Sequence, residues 1–161
     1  QTFIIKKLIK INYNFYQLNL SMTSVTKPTL FLKNSDMKTY VKVSGLNMCF
    51  GIFMKHYCGF EYDSVIAGHF NTPEMYNENQ NKFTESGKIF FMKYFQNIKV
   101  LEWNVEDIEI LIYYAEKMEG KTHENTEKII NCIKMCFKNV LIEHIETRKG
   151  KDDEGEYTFV F

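Results

Sequence analysis

Two sets of residues in this chain have the types and spacing to do chemistry. The first comprises Lys38, Tyr40, Lys42, Phe53, Lys55 and Tyr57, lysines and rings on the more polar face of two strand-like stretches. Lysine neutralises phosphate, and an exposed ring stacks on an unpaired base, worth about 1–3 kcal/mol per base. Presented together on a sheet, these groups would bind single-stranded DNA or RNA. Lys93 and Lys99 can join them from a neighbouring hairpin. The plainer alternative is a solvated sheet face whose rings pair across strands. Every basic residue except Arg148 is lysine. The chain is therefore poorly equipped for the bidentate reading of guanine in a duplex groove, which a single strand does not demand.

The second set is made of thiols and imidazoles. Cys49, His56, Cys58 and His69 are the right ligand types for zinc but lack the paired spacing of structural sites. His56, Cys58, Glu61, Asp63 and His69 gather around Gly59 and Gly68, where they could instead supply a Cys–His pair for nucleophilic chemistry. Buried thiols and ordinary loop polar groups explain the same residues. Cys132 and Cys136, four apart in a helical pattern, share one face, and His123 and His144 occupy polar helix positions. There is no HExxH, no glycine-rich phosphate loop and no GxSxG. The motif census thus favours a non-enzymatic protein with no cofactor and no bound metal. With no CxxC, and its one glycosylation sequon at Asn19, the chain reads as reduced and intracellular.

The elements that must carry these groups can be read from periodicity. Thr29–Lys33 is a short apolar run, and Asn34, Ser35 and Asp36 form a turn cluster. Met37–Ser44 alternates, with Met37, Thr39, Val41 and Val43 on one face. Leu46–Tyr57 alternates again, placing Phe50, Ile52 and Met54 opposite Cys49, Gly51, Phe53 and Lys55, and Phe60–Ala67 is a third strand. The polar stretch 69–86 reads as a long mobile loop. Lys88–Phe95 and Ile98–Trp103 read as a hairpin turning at Gln96 and Asn97. A helix is predicted from Asn104 to Gly120. A second starts near Thr122–Thr126 and carries an apolar stripe from Ile129 through Ile133 and Phe137 to Ile145. The expected class is α+β, an N-terminal antiparallel sheet of about five strands packed by two C-terminal helices. The stripe over 129–145 could pair with a second copy, giving a homodimer.

The 161 residues, of net charge zero, suit one domain over residues 22–148. No apolar run approaches the roughly 20 residues of a membrane span, so no membrane partner is expected. Residues 1–21 are nearly all Phe, Ile, Lys, Asn, Tyr and Leu, the products of A- and T-only codons. That bias fits an AT-rich genome, such as that of a virus or protist. It suggests that Met22 is the initiator and that 1–21 is a non-native or disordered leader. The rival reading is an amphipathic targeting helix built on Lys6, Lys7 and Lys10. Residues 149–161 form an acidic tail or a final strand over Tyr157–Val160.

Asp152, Asp153, Glu154 and Glu156 followed by Phe161 resemble the acidic, aromatic-tipped tails of bacterial and phage single-strand-binding proteins. In those families the tail mimics the ligand and docks partners. Several strands followed by a helix also resemble single-strand-binding folds in outline. The expectation carried forward is a non-enzymatic protein binding single-stranded DNA or RNA through Lys38, Tyr40, Lys42, Phe53, Lys55, Tyr57 and Lys93. The alternative is a homodimerising protein-interaction module.

Overall fold

A computed structural model describes residues 27–33, 37–116, 118, 120–151 and 155–161. The expected leader, Met22, Asn19, the turn at 34–36 and the acids Asp152–Glu154 lie outside the described residues.

The fold is mixed α+β. Its centre is a five-stranded sheet in the order β1-β4-β3-β7-β8. The strands are β1 (Thr29–Leu32), β3 (Phe50–Cys58), β4 (Glu61–Phe70), β7 (Ile108–Tyr114) and β8 (His144–Lys149). β3 and β4 form the long central hairpin, turning at Gly59, whose φ of 70° is the left-handed backbone that glycine accepts without strain. β2 (Tyr40–Val43) and β9 (Tyr157–Val160) make a separate two-stranded ribbon. Between β4 and β7 the chain forms α1 (Thr72–Met75), the small pair β5 (Tyr76–Asn77) and β6 (Lys82–Phe83), and the long helix α2 (Glu85–Leu101). α3 (His123–Lys138) links β7 to β8. These last two strands run parallel, so the sheet is not wholly antiparallel. Parallel neighbours need a crossover, and α3 is that crossover.

Three layers result. On one face of the sheet, Phe90, Phe91 and Tyr94 of α2 and Ile129, Ile130, Ile133 and Phe137 of α3 pack on Phe50, Ile52, Met54, Ile66, Ile110 and Ile112. On the other face, Val41, Val43 and Phe159 of the ribbon pack on Phe53, Val65, Ala67, Leu111 and Tyr113. A sheet covered on both sides needs apolar residues at consecutive positions, as in FGIFM of β3 and IEILIYY of β7.

Several expectations change. The hairpin over 88–103 is the helix α2. Its apolar residues fit both periods, but Thr84 caps the helix by accepting from the Gly87 N–H at 3.3 Å. Asn97 sits inside that helix, its side-chain amide donating to the Lys93 carbonyl at 2.8 Å. The helix expected over 104–120 is a short 3-10 turn, Val105–Asp107, followed by the central strand β7. One of the two long helices is therefore mid-chain rather than C-terminal. The segment 69–86 is folded into the end of β4, α1, β5 and β6.

α3 forms as expected but stops at Lys138, and Ile145 belongs to β8. Ile129, Ile130, Ile133 and Phe137 are each at most 1% exposed. These four residues are spent on this chain's own sheet, whereas Leu141, from the same expected stripe, is 74% exposed. Tyr157–Val160 is a strand, and Phe159 is buried in the ribbon's core.

Candidate active site

The lysines and rings do not share one surface. Tyr40 and Lys42 face outward from β2, and Lys42 pairs with Glu156 at 3.0 Å. Lys38 is exposed just before that strand. Phe53 lies on the covered face of β3, fully buried against Tyr157 and Phe159, with ring centroids at 5.3 and 6.4 Å. No base can stack on it there. Lys55 is 6% exposed, 3.6 Å from Glu109, and sits over the rings of Tyr62 and Phe159. Its charge is neutralised by a carboxylate and shielded by rings rather than offered to phosphate. Tyr57 is half-buried, stacked on Tyr62 at 4.1 Å and donating its hydroxyl to the Tyr62 oxygen at 2.6 Å. Lys93 is on α2, in the opposite layer, beside a separate groove with Glu74 and Ile89. The ribbon β2–β9 is what overturns the open-face arrangement. Its second strand comes from the far end of the chain, and it occupies the sheet face that ligand would have used.

The thiol and imidazole set also divides. Cys49 and His56 are seven residues apart along an extended chain, roughly 23 Å at 3.3 Å per residue. His56 pairs with Asp63 at 2.7 Å and stacks on Trp103 at 4.4 Å, while Cys58 is exposed at the hairpin turn. Among the described residues, no group of three or more His, Cys, Asp or Glu could hold a metal ion.

Cys49 and His69 fall on the same face of the central hairpin. The β3–β4 register pairs Phe50 with Phe70 and Gly51 with His69. Cys49 enters β3 packed in the ribbon-side core with Leu46 and Phe53. His69 alternates with Val65 and Ala67, which face that same core. The two side chains are thus diagonal neighbours on one face. Diagonal neighbours lie roughly 7–8 Å apart. Between them stands Gly51, where a Cβ would meet Leu46 at 3.1 Å. The thiol rests 3.8 Å from Asn71 Oδ1.

Both groups are buried, Cys49 at 4% and His69 at 7% exposure. His69 Nδ1 is 3.1 Å from the Ser44 carbonyl oxygen. A carbonyl can only accept, so Nδ1 carries the hydrogen and Nε2 is left with its lone pair. Burial pulls the His69 pKa below its ordinary 6.5, so the ring is neutral near pH 7. Burial pushes the Cys49 thiol up, opposed by the Thr72 amide, the charge of Lys121 and the Met48 amide. Cys49 therefore carries a protonated thiol and His69 a neutral imidazole, both on the ribbon side of the central hairpin. These are the residue types of a nucleophile, a base and a group orienting the base.

A cavity of about 450 Å³ opens beside α1, lined by Thr72, Tyr76, Asn77, Glu78 and Lys121 among others but by neither Cys49 nor His69. Thr72 and Lys121 belong both to this cavity and to the surroundings of Cys49. Among the described residues, the Thr72 hydroxyl is a buried side-chain group with no hydrogen-bond partner. An orphan of that kind carries a desolvation cost. Sequence reasoning named Cys49 and His69 only among several candidates and missed Ser44, Thr72 and Lys121. The available signal was the run His69–Glu74, HFNTPE, whose Asn–Thr–Pro opens a helix directly after a strand. Compared with known protein families and with curated proteins, the chain matches none.

Proposed function

We propose that this protein is a thiol-dependent enzyme of the acyl-transfer class. Cys49 is the nucleophile and His69 the general base, acting on a carbonyl compound. One observation carries the reading. The Ser44 carbonyl fixes His69 with Nε2 as the acceptor, on the sheet face that holds the Cys49 thiol.

The reaction follows from these protonation states. Sγ attacks the carbonyl carbon as Nε2 takes the thiol proton, giving a tetrahedral oxyanion and an imidazolium. The oxyanion collapses, the bond to the leaving amine or alkoxide breaks, and the imidazolium returns the proton to it. The product is a thioester on Cys49. Water then attacks the thioester while Nε2 takes its proton. Release of the carboxylic acid restores the thiol.

The competing nucleic-acid reading keeps Lys38, Tyr40 and Lys42 on the outer ribbon. One ring and two lysines, one of them ion-paired, make too short a track for successive stacked bases.

The activated ester p-nitrophenyl acetate tests the thiol reading, with peptide mass spectrometry locating the acetyl group. Acetyl-Cys49 accumulates in the wild type at neutral pH and is absent from Cys49→Ser. Exposed Cys58 serves as the internal control. Acetylation of Cys58 with none at Cys49 would overturn the assignment.

A further inference from the structure

We infer that the cavity beside α1 is a binding site for a free α-amino acid in its zwitterionic form. The site is separate from the thiol of the proposed function, since neither Cys49 nor His69 lines it. At about 450 Å³ it falls within the range of small-molecule sites, roughly 300–1,000 Å³. Its polar groups stand at graded depth. Thr72 is the most buried, at 1% exposure, and its hydroxyl has no hydrogen-bond partner among the described residues. The Lys121 side chain is 10% exposed and pairs with Glu78, whose own side chain is 41% exposed. Pro73 and Tyr76 add apolar wall. The charged pair is held from both sides. The Lys121 amide donates to the Met118 carbonyl at 3.2 Å, and the next residue, Thr122, caps α3 by accepting from the Asn125 N–H at 3.1 Å. Asn77 Oδ1 accepts from the amides of Asn79 and Gln80 at 3.0 and 3.2 Å, fixing the β5–β6 turn that carries Glu78.

The charge pattern selects the ligand. A lone anion in this cavity is attracted by Lys121 but repelled by Glu78, and a lone cation meets the reverse. A zwitterion laid antiparallel to the pair meets each charge with its opposite and brings no net charge into the cavity. Depth then sets its direction. The Thr72 hydroxyl and the Lys121 ammonium are both donors, so the inner end takes the ligand's carboxylate. Glu78, nearer solvent, takes the ligand's ammonium. Pro73 and Tyr76 leave an apolar surface for its side chain. The Thr72 hydroxyl, a cost to the free protein, gains its partner from the bound carboxylate.

The test is calorimetric titration of the full chain at neutral pH with the proteinogenic L-amino acids, one at a time. At least one binds with a Kd of about 1 mM or tighter. Its primary amide and its deaminated acid, each lacking one charge, bind about tenfold more weakly or worse. Glu78→Gln weakens the amino acid about tenfold yet strengthens the deaminated acid, because the repelling carboxylate is gone. Lys121→Met weakens both. Thr72→Val raises the melting temperature of the free protein and weakens the amino acid about tenfold. Cys49→Ser binds the amino acid as the wild type does, which keeps this site apart from the thiol chemistry. Absence of binding by every amino acid overturns the inference. Equal binding of the deaminated acid makes this an anion site and overturns it too, as does an affinity unchanged in both Thr72→Val and Glu78→Gln.

Discussion

Replacing His69 by Asn slows acetylation of Cys49 by p-nitrophenyl acetate about 10²–10⁴-fold, the range expected for loss of a general base. Asparagine is the informative choice. Its side-chain amide can occupy the place of Nδ1–H and donate to the Ser44 carbonyl, the bond that holds His69 at 3.1 Å. What it lacks is the acceptor at Nε2. Circular dichroism should therefore show an intact fold with a disabled thiol. Added imidazole should partly rescue His69→Ala. The pH dependence has a definite sign. The reaction needs neutral His69, whose pKa lies below 6.5. The rate rises with pH through that lowered value and is already level at neutrality. A rate equal to wild type in His69→Asn would remove the base.

The second large effect concerns stability. Phe137→Ala should cost about 3–5 kcal/mol, a fall in melting temperature on the order of 10 °C for a chain of this size. Phe137 is fully buried, with Phe91, Tyr94 and Phe95 ring centroids at 5.6, 5.9 and 6.0 Å. It joins the two helices over the sheet. Thermal unfolding measured at several protein concentrations checks both magnitude and mechanism. If the stripe serves this chain's own core, the loss does not depend on concentration. A loss that vanishes on raising the concentration would return Phe137 to an interface between copies.

Local patterns carried the α+β class, the faces of β3 and the position of α3. Phe50, Ile52 and Met54 do point to the helices, as their alternation requires. The opposite face was misjudged because Phe53 and Lys55 are covered by residues such as Phe159, about a hundred positions away in the chain. No local period encodes such a partner. α2 and β7 were exchanged for a related reason. A segment buried among neighbours on several sides, such as IEILIYY, loses the polar positions that reveal its period.

The site was partly legible. Gly59 marks a tight turn, but counting outward from it sets Phe50 against His69; a bulge between His56 and Tyr57, which no local pattern announces, shifts the register to Phe50–Phe70 and Gly51–His69. Without the register, His69 stands equally well beside Cys58 or Glu61. Lys121 and Ser44 were not legible, since each reaches the site from a loop whose course depends on the assembled layers.

Thiol chemistry with His69 as base requires a neutral His69 carrying its proton on Nδ1. Long-range ¹H–¹⁵N correlation of the histidine rings measures that directly at pH 7. The expected result is an Nδ1–H tautomer for His69, with Nε2 showing the shift of a bare acceptor. An Nε2–H tautomer, or an imidazolium at that pH, would contradict it.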